Sequence, residues 1–247
     1  MCFLPPDLLP GTFGQDPQDA HQRKRTMERQ LIRTGDQSPS FHVPALAENY
    51  HSQHGARRES EHVFIEQGLR SFPAGSEVHL LEVGFGTGLN AWLSAELAAA
   101  ENYRLHYFAL EKYPLEKREW LAYAEALGRA EDEIFPRLHS VAWEQWQEVS
   151  PFFRLFKHRG DLLDEQWLKD SFDLIYFDAF APRVQPDLWE PAVFAALYKA
   201  LKPGGILVTY CAKGDVRRGM QGAGFEVERR PGPPGKREMI WAMKASD

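Results

Sequence analysis

Cysteine is almost absent: the 247 residues hold two, Cys2 and Cys211, one near the N-terminus and one in an apolar strand pattern. That excludes a disulfide framework and a cysteine-based metal knot, and it points to the cytosol. Long apolar runs are missing as well. The stretch around Phe172 to Phe177 is far shorter than the ~20 residues of a membrane-spanning helix. Met1 to Gly14 has no basic leader and carries Pro5, Pro6 and Pro10, so it does not read as a secretory signal. Nor is there an excess of positive charge. Twenty-nine Lys and Arg stand against 35 Asp and Glu, net -6, which by itself argues against a nucleic-acid partner. What remains, 43% hydrophobic and 26% charged, is the balance of a soluble chain able to bury the core of one large domain.

The charge is unevenly spread. Arg23 to Arg33 and Lys213 to Lys244 are each net basic, so the rest of the chain is more acidic than the total. Such an arrangement fits a directed anion-binding face, and equally fits solvated charge runs. Residues 1 to 26 combine four prolines with unpatterned polar residues and read as a flexible extension. Met27 to about Leu69 is mixed and short, a small β-rich lead-in too slight to fold alone.

Beyond it, apolar runs alternate with helical patterns, the signature of a parallel sheet covered by helices. Val78 to Val83, Leu105 to Leu110, Phe152 to Lys157, Phe172 to Asp178 and Ile206 to Cys211 read as strands. The fourth is apolar enough to be buried on both faces. Leu89, Trp92, Leu93 and Leu97 share one face of a helix, and further helices are expected over Leu115 to Leu127, Asp187 to Leu201 and Arg217 to Ala223. Phe225 to Glu228 and Met239 to Met243 read as a closing pair of strands around a tip at Arg229 to Lys236. The expected architecture is α/β, a doubly wound sheet ending in an antiparallel addition.

The first strand runs into Gly84-Phe85-Gly86-Thr87-Gly88 and then a helix. A glycine turn in that place lets a ligand approach backbone that a Cβ would shield. Glu82, at the strand tip, would repel a dinucleotide's pyrophosphate and attract a cationic amino group, which selects S-adenosylmethionine over a nicotinamide cofactor. Glu111, 25 residues after Gly86 at the next strand tip, stands near the offset of a ribose-binding acid. Asp161, after the third strand, is placed for the adenine amine. Each acid has a plainer reading: a solvated strand end for Glu82 or Glu111, a turn cap at Gly160 for Asp161. Asp178 follows the most buried strand, where ligands of open α/β sheets gather, and a carboxylate there can orient an attacking amine and take its proton. Phe180 is placed to stack on a nucleobase. The alternative is a turn-capping Asp178 and a core Phe180.

Glu82 to Asn90, Asp178-Ala179-Phe180-Ala181-Pro182 with Pro186-Asp187-Leu188-Trp189, Val216 to Gly219, and Gly235 to Met239 together resemble the MnmC/MnmD family of tRNA methyltransferases over about Met27 to Met243. The resemblance implies a class I methyltransferase (Rossmann-like) fold that moves a methyl group from S-adenosylmethionine to the amine of 5-aminomethyl-(2-thio)uridine at the wobble position. By matching, Glu82, Gly84, Phe85, Gly86, Thr87, Gly88 and Asn90 belong to the cofactor turn, Glu111 to the ribose site, Asp161 to the adenine site and Asp178 to the catalytic position, with Tyr50 near the cofactor. Phe180, Arg217, Arg218, Lys236 and Arg237 are the residues expected to meet the anticodon loop. No metal and no flavin are expected: the oxidase fused in some members finds no room before Asp247, so the implied substrate already bears the aminomethyl group, installed by other enzymes. Pro233-Pro234 departs from the aromatic-glycine turn of relatives. An N-methyltransferase of a small amine or a protein, and a catalytically silent RNA-binding relative, remain as other readings.

Overall fold

The computed structural model describes residues 28–246; the expected N-terminal extension, with Cys2, lies outside them. The lead-in is β-rich only in its first half. Strands β1 (Gln30–Arg33), β2 (Pro39–Val43) and β3 (Glu48–Asn49) form a small antiparallel sheet. The second half is helical: α1 (Ala56–Ser60) continues into a π-helical turn at Glu61–Glu66.

The main sheet is built from β4 (Glu77–Val83), β5 (Arg104–Leu110), β6 (Trp146–Ser150), β7 (Phe153–His158), β8 (Phe172–Phe177), β9 (Leu201–Thr209), β10 (Glu226–Pro231) and β11 (Glu238–Met243). Their order across it is β10-β11-β9-β8-β4-β5-β7-β6. The central pairs β7–β5, β5–β4, β4–β8 and β8–β9 are parallel. The antiparallel β11 and β10 close one edge, as the sequence suggests. The other edge carries an antiparallel strand the sequence reading passed over: β6 pairs with β7. Trp146 to Ser150 alternates too weakly, with Gln147 and Glu148 in it, to announce a strand that has a neighbour on one side only.

Central strands bury both faces. In β4, Val78 and Leu80 enter one hydrophobic cluster while Leu81 and Val83 enter the other. Helices α2 (Leu89–Glu101), α3 (Lys117–Leu127) and α4 (Phe135–Ser140) cover the first face; α5 (Pro191–Ala200) and α6 (Gly214–Gly222) cover the second. The long helix expected from Asp187 is two pieces, because a 3-10 turn at Pro186–Trp189 ends at Glu190 and Pro191 opens α5. Helix α2 is buried nearly all round, Asn90 and Ser94 included, rather than on one stripe. The helical half of the lead-in packs on the side that would otherwise face solvent, in one core with α2. Among the described residues no helix is long and apolar enough to cross a membrane.

Candidate active site

The strands of a parallel sheet all point their carboxyl ends to one edge, and there a cleft of about 570 Å³ opens, a size suited to a small-molecule ligand. Its lining includes Gly84, Phe85, Gly86, Thr87, Asn90, Glu111, Asp161, Asp178, Phe180, Tyr50 and Lys236. The fold thus gathers the acids of three strand tips and the glycine turn, which lie far apart in the chain.

The turn is possible only because of its glycines. Gly84 has φ +92°, and a Cβ there would stand 2.6 Å from the Asp178 carbonyl oxygen. Gly86 has φ +51°, and a Cβ there would stand 3.2 Å from the Tyr50 ring. Both positions have a left-handed backbone; at Gly84 the close backbone approach also shuts out any side chain, while at Gly86 a Cβ would crowd the Tyr50 ring. The Gly84 N–H donates to the Leu110 carbonyl at 2.9 Å. The Gly86 N–H donates to Glu111 Oε2 at 2.9 Å, and Glu111 Oε1 accepts from the Tyr113 N–H at 2.7 Å. Glu111 is therefore locked in orientation at the cleft wall, with lone pairs left for a diol. Asp161 is ion-paired with Lys112 and accepts from the Leu163 N–H at 3.2 Å. The turn cap foreseen as the plainer reading is thus present, on a residue that also lines the cleft.

Glu82 sits differently from expectation. It is 0% exposed and is not part of the cleft lining. Burial, then the nearby Asp178, hold its carboxyl well above the usual range. The expected contact with a cationic group therefore does not come from a Glu82 side chain facing the cleft. Its link is Asn90, whose Nδ2 donates to Glu82 Oε1 at 3.0 Å and to Asp178 Oδ2 at 2.9 Å. One amide group thus fixes both acids.

Asp178 is half-buried, and its carboxyl is pushed up to about 7. Desolvation leads, the Glu59 charge adds to it, and the Asn90 hydrogen bond and the Lys236 charge oppose it. A carboxylate near neutrality can gain and lose a proton at working pH. Phe180 is half-buried, not core, and meets the Tyr50 ring edge-on at 5.2 Å. The Tyr50 hydroxyl accepts from Arg29 Nε at 2.7 Å. Arg217, Arg218 and Arg237 do not line the cleft; Arg218 and Arg237 are exposed, and Arg218 pairs with Asp215. Lys236 lines the cleft and turns inward onto Glu59.

Sequence reasoning missed Glu59 and Tyr210, both in the lining. Glu59 stands beside Arg57 and Arg58 in a five-residue helix, and such a string reads as solvated charge. At the opposite edge of the sheet, ligating atoms of Glu77, His79 and His106 lie within 4.8 Å of one another. There Lys202 already neutralises Asp173, at 2.8 Å, beside the His79 ring.

A doubly wound sheet, a glycine turn at its switch point and an acid at the next strand tip are common to class I methyltransferases and dinucleotide-binding folds, and comparison with known proteins separates the two. A family model described as S-adenosyl-L-methionine-dependent methyltransferase matches residues 159–245. The tRNA 5-methylaminomethyl-2-thiouridine biosynthesis bifunctional protein MnmC of Chromohalobacter salexigens is 35% identical over 229 residues, covering 84% of this chain and 32% of that protein. The protein of the same name from Ralstonia nicotianae is 32% identical over 240 residues, covering 87% and 35%. The crystal structure of MnmC2 from Aquifex aeolicus superposes with a TM-score of 0.69 over 95% of this chain and 80% of that one, at 21% identity, a likeness of fold. The chain belongs to the S-adenosyl-L-methionine-dependent methyltransferases, and within them to the MnmC family. It spans about one third of the length of the curated relatives it matches.

Proposed function

We propose that the protein transfers a methyl group from S-adenosylmethionine to the primary amine of 5-aminomethyl-(2-thio)uridine at the tRNA wobble position, giving 5-methylaminomethyl-(2-thio)uridine. The observation that carries this reading is Asp178: a carboxyl poised near pH 7, aligned by Asn90, in the cleft beside the glycine turn. The names of the relatives supply the tRNA substrate.

The residues present fit the cofactor. The close-packed backbone of Gly84 and Gly86 has no side chains to bar it, Glu111 offers carboxylate acceptors to ribose hydroxyls, Asp161 an acceptor to the adenine amine, and Tyr50 a ring beside Gly86. When bound, S-adenosylmethionine supplies an electrophilic methyl on a sulfonium. An acceptor amine arrives largely protonated at neutral pH and is not a nucleophile in that form. Asp178 as carboxylate accepts a proton from it, leaving the amine nitrogen a free lone pair for the methyl that the sulfonium would give up. Asn90 holds Asp178 Oδ2 through this exchange. Tyr50 and Phe180 exclude water from one wall and offer aromatic surface to a splayed base.

The anticodon loop is single-stranded, so its base can enter the cleft with little unstacking. The exposed Arg218 and Arg237 are left to meet phosphate in the flanking stem, and the enzymes that install the aminomethyl group stand upstream. Purified protein incubated with methyl-labelled cofactor and tRNA carrying the aminomethyl group should place label in the wobble nucleoside. Label found only in small amines or protein, or nowhere, would reject this reading.

A further inference from the structure

Lys236 lies in the tip between β10 and β11, yet its ammonium points into the cleft. Nζ is 2.5 Å from Glu59 Oε1 and 3.8 Å from the centroid of the Tyr210 ring. Glu59 is 6% exposed, and its other oxygen accepts from the Ser52 N–H at 2.7 Å. A carboxylate so enclosed is costly to bury without a cation beside it. The Tyr210 face draws cations, and its hydroxyl, donating to the Ala179 carbonyl at 2.8 Å, fixes the ring next to Asp178. Carboxylate, aromatic face and Asp178 line one cleft. Together they are the chemistry of a site for an alkylammonium, and the side chain that fills it here ends in one.

We propose that Glu59 and the face of Tyr210 form the subsite for the acceptor's own ammonium, and that Lys236 holds the place until an acceptor arrives. The inference rests on the reading of the acceptor as a primary amine attached through a methylene, the group at the end of a lysine. The hairpin tip is docked: Gly235 has φ +87°, and a Cβ there would run into the His54 ring. Exchange therefore needs only the Lys236 side chain to swing out, where its charge is free to meet phosphate. Glu59 and Tyr210 then select a cationic acceptor, and Asp178 takes the proton.

The test uses two anticodon stem-loop RNAs, one with 5-aminomethyluridine and one with the neutral 5-hydroxymethyluridine at the wobble position, titrated against protein saturated with S-adenosylhomocysteine. Wild type should prefer the amine by about tenfold or more, the scale of a hydrogen bond to a charged group. Glu59→Gln and Tyr210→Leu should bring that preference close to one, while Tyr210→Phe retains it; Lys236→Met should keep or strengthen it. Affinity for S-adenosylhomocysteine and the melting temperature report folding in each variant, and Tyr210→Leu decides should Glu59→Gln fail to fold. A wild type without preference, a Glu59→Gln protein that keeps the full preference, or a Lys236→Met protein that loses it overturns the inference. Failure of the parent reading looks different: no methyl transfer to either RNA by wild type.

Discussion

Replacing Asp178 with asparagine should stabilise the fold while abolishing turnover, by an amount that depends on pH. The ordinary carboxyl value of 3.8 is raised here to about 7. In the unfolded chain Asp178 gives up its proton near pH 4, whereas the folded protein holds it until about 7. Between those values the unfolded state binds fewer protons, so stability falls as pH rises, and above pH 7 the deficit stays constant. At 1.36 kcal/mol per pH unit the full deficit is about 4 kcal/mol; Asp178 is half-buried, and solvent screening reduces that to about 2. Asparagine carries no such penalty, and its amide oxygen still accepts from Asn90. Roughly 1–1.5 kcal/mol of the deficit develops between pH 5 and pH 8, which for a chain of this size is about 2–6 °C in melting temperature. Thermal unfolding of both proteins at the two pH values checks it. A melting-temperature gap that is equal at pH 5 and pH 8, or narrower at pH 8, would refute the assignment of a raised carboxyl at this position.

Gly84→Ala places a methyl 2.6 Å from the Asp178 carbonyl at φ +92°; the strain should destabilise by about 2 kcal/mol or more and displace Asp178, seen as lowered melting temperature together with lost turnover. Glu111→Ala frees the Gly86 and Tyr113 N–H groups and should weaken S-adenosylhomocysteine binding by about 1.5–3 kcal/mol in calorimetric titration; an unchanged dissociation constant would remove Glu111 from the ribose site. Arg217→Ala with Arg218→Ala should leave S-adenosylhomocysteine affinity unchanged and reduce the log–log salt slope of RNA binding by about 0.7–0.9 for each phosphate that is no longer neutralised, from loop to stem.

The central sheet was legible because parallel strands buried on both faces write themselves as continuous apolar runs, as in Phe172 to Phe177. What escaped has physical causes. Strand β6 sits at an edge and needs only a weak pattern, and the two-piece helix after Asp187 is set by the pairing of Glu190 with Pro191. Glycine turn, Glu111, Asp161 and Asp178 could be read because a strand tip followed by a turn is a local feature. Whether a side chain there faces the cleft is not local. Glu82 and Asn90 belong to one stretch, yet Glu82 turns into the core and Asn90 toward Asp178, 88 residues away. Glu59 meets Lys236, 177 residues further along, and no periodicity records such a pairing.

That distribution changes the standing of the lead-in. Tyr50 packs on Gly86 and Phe180, and Glu59 reaches Lys236 across the cleft. The segment that looks least organised in sequence therefore supplies one wall of the cleft, while the carboxyl ends of the sheet supply another. Gly84 ties the two chemistries together, because its bare backbone touches the residue that carries Asp178. A shift in the glycine turn is felt directly at the proton-accepting carboxyl, whose affinity for its proton already depends on Glu59 of the lead-in and Lys236 of the closing hairpin. Burial sets most of the proton affinity at Asp178, and charges from two other parts of the chain adjust it; in the proposed exchange an ammonium that displaces Lys236 replaces one positive charge with another.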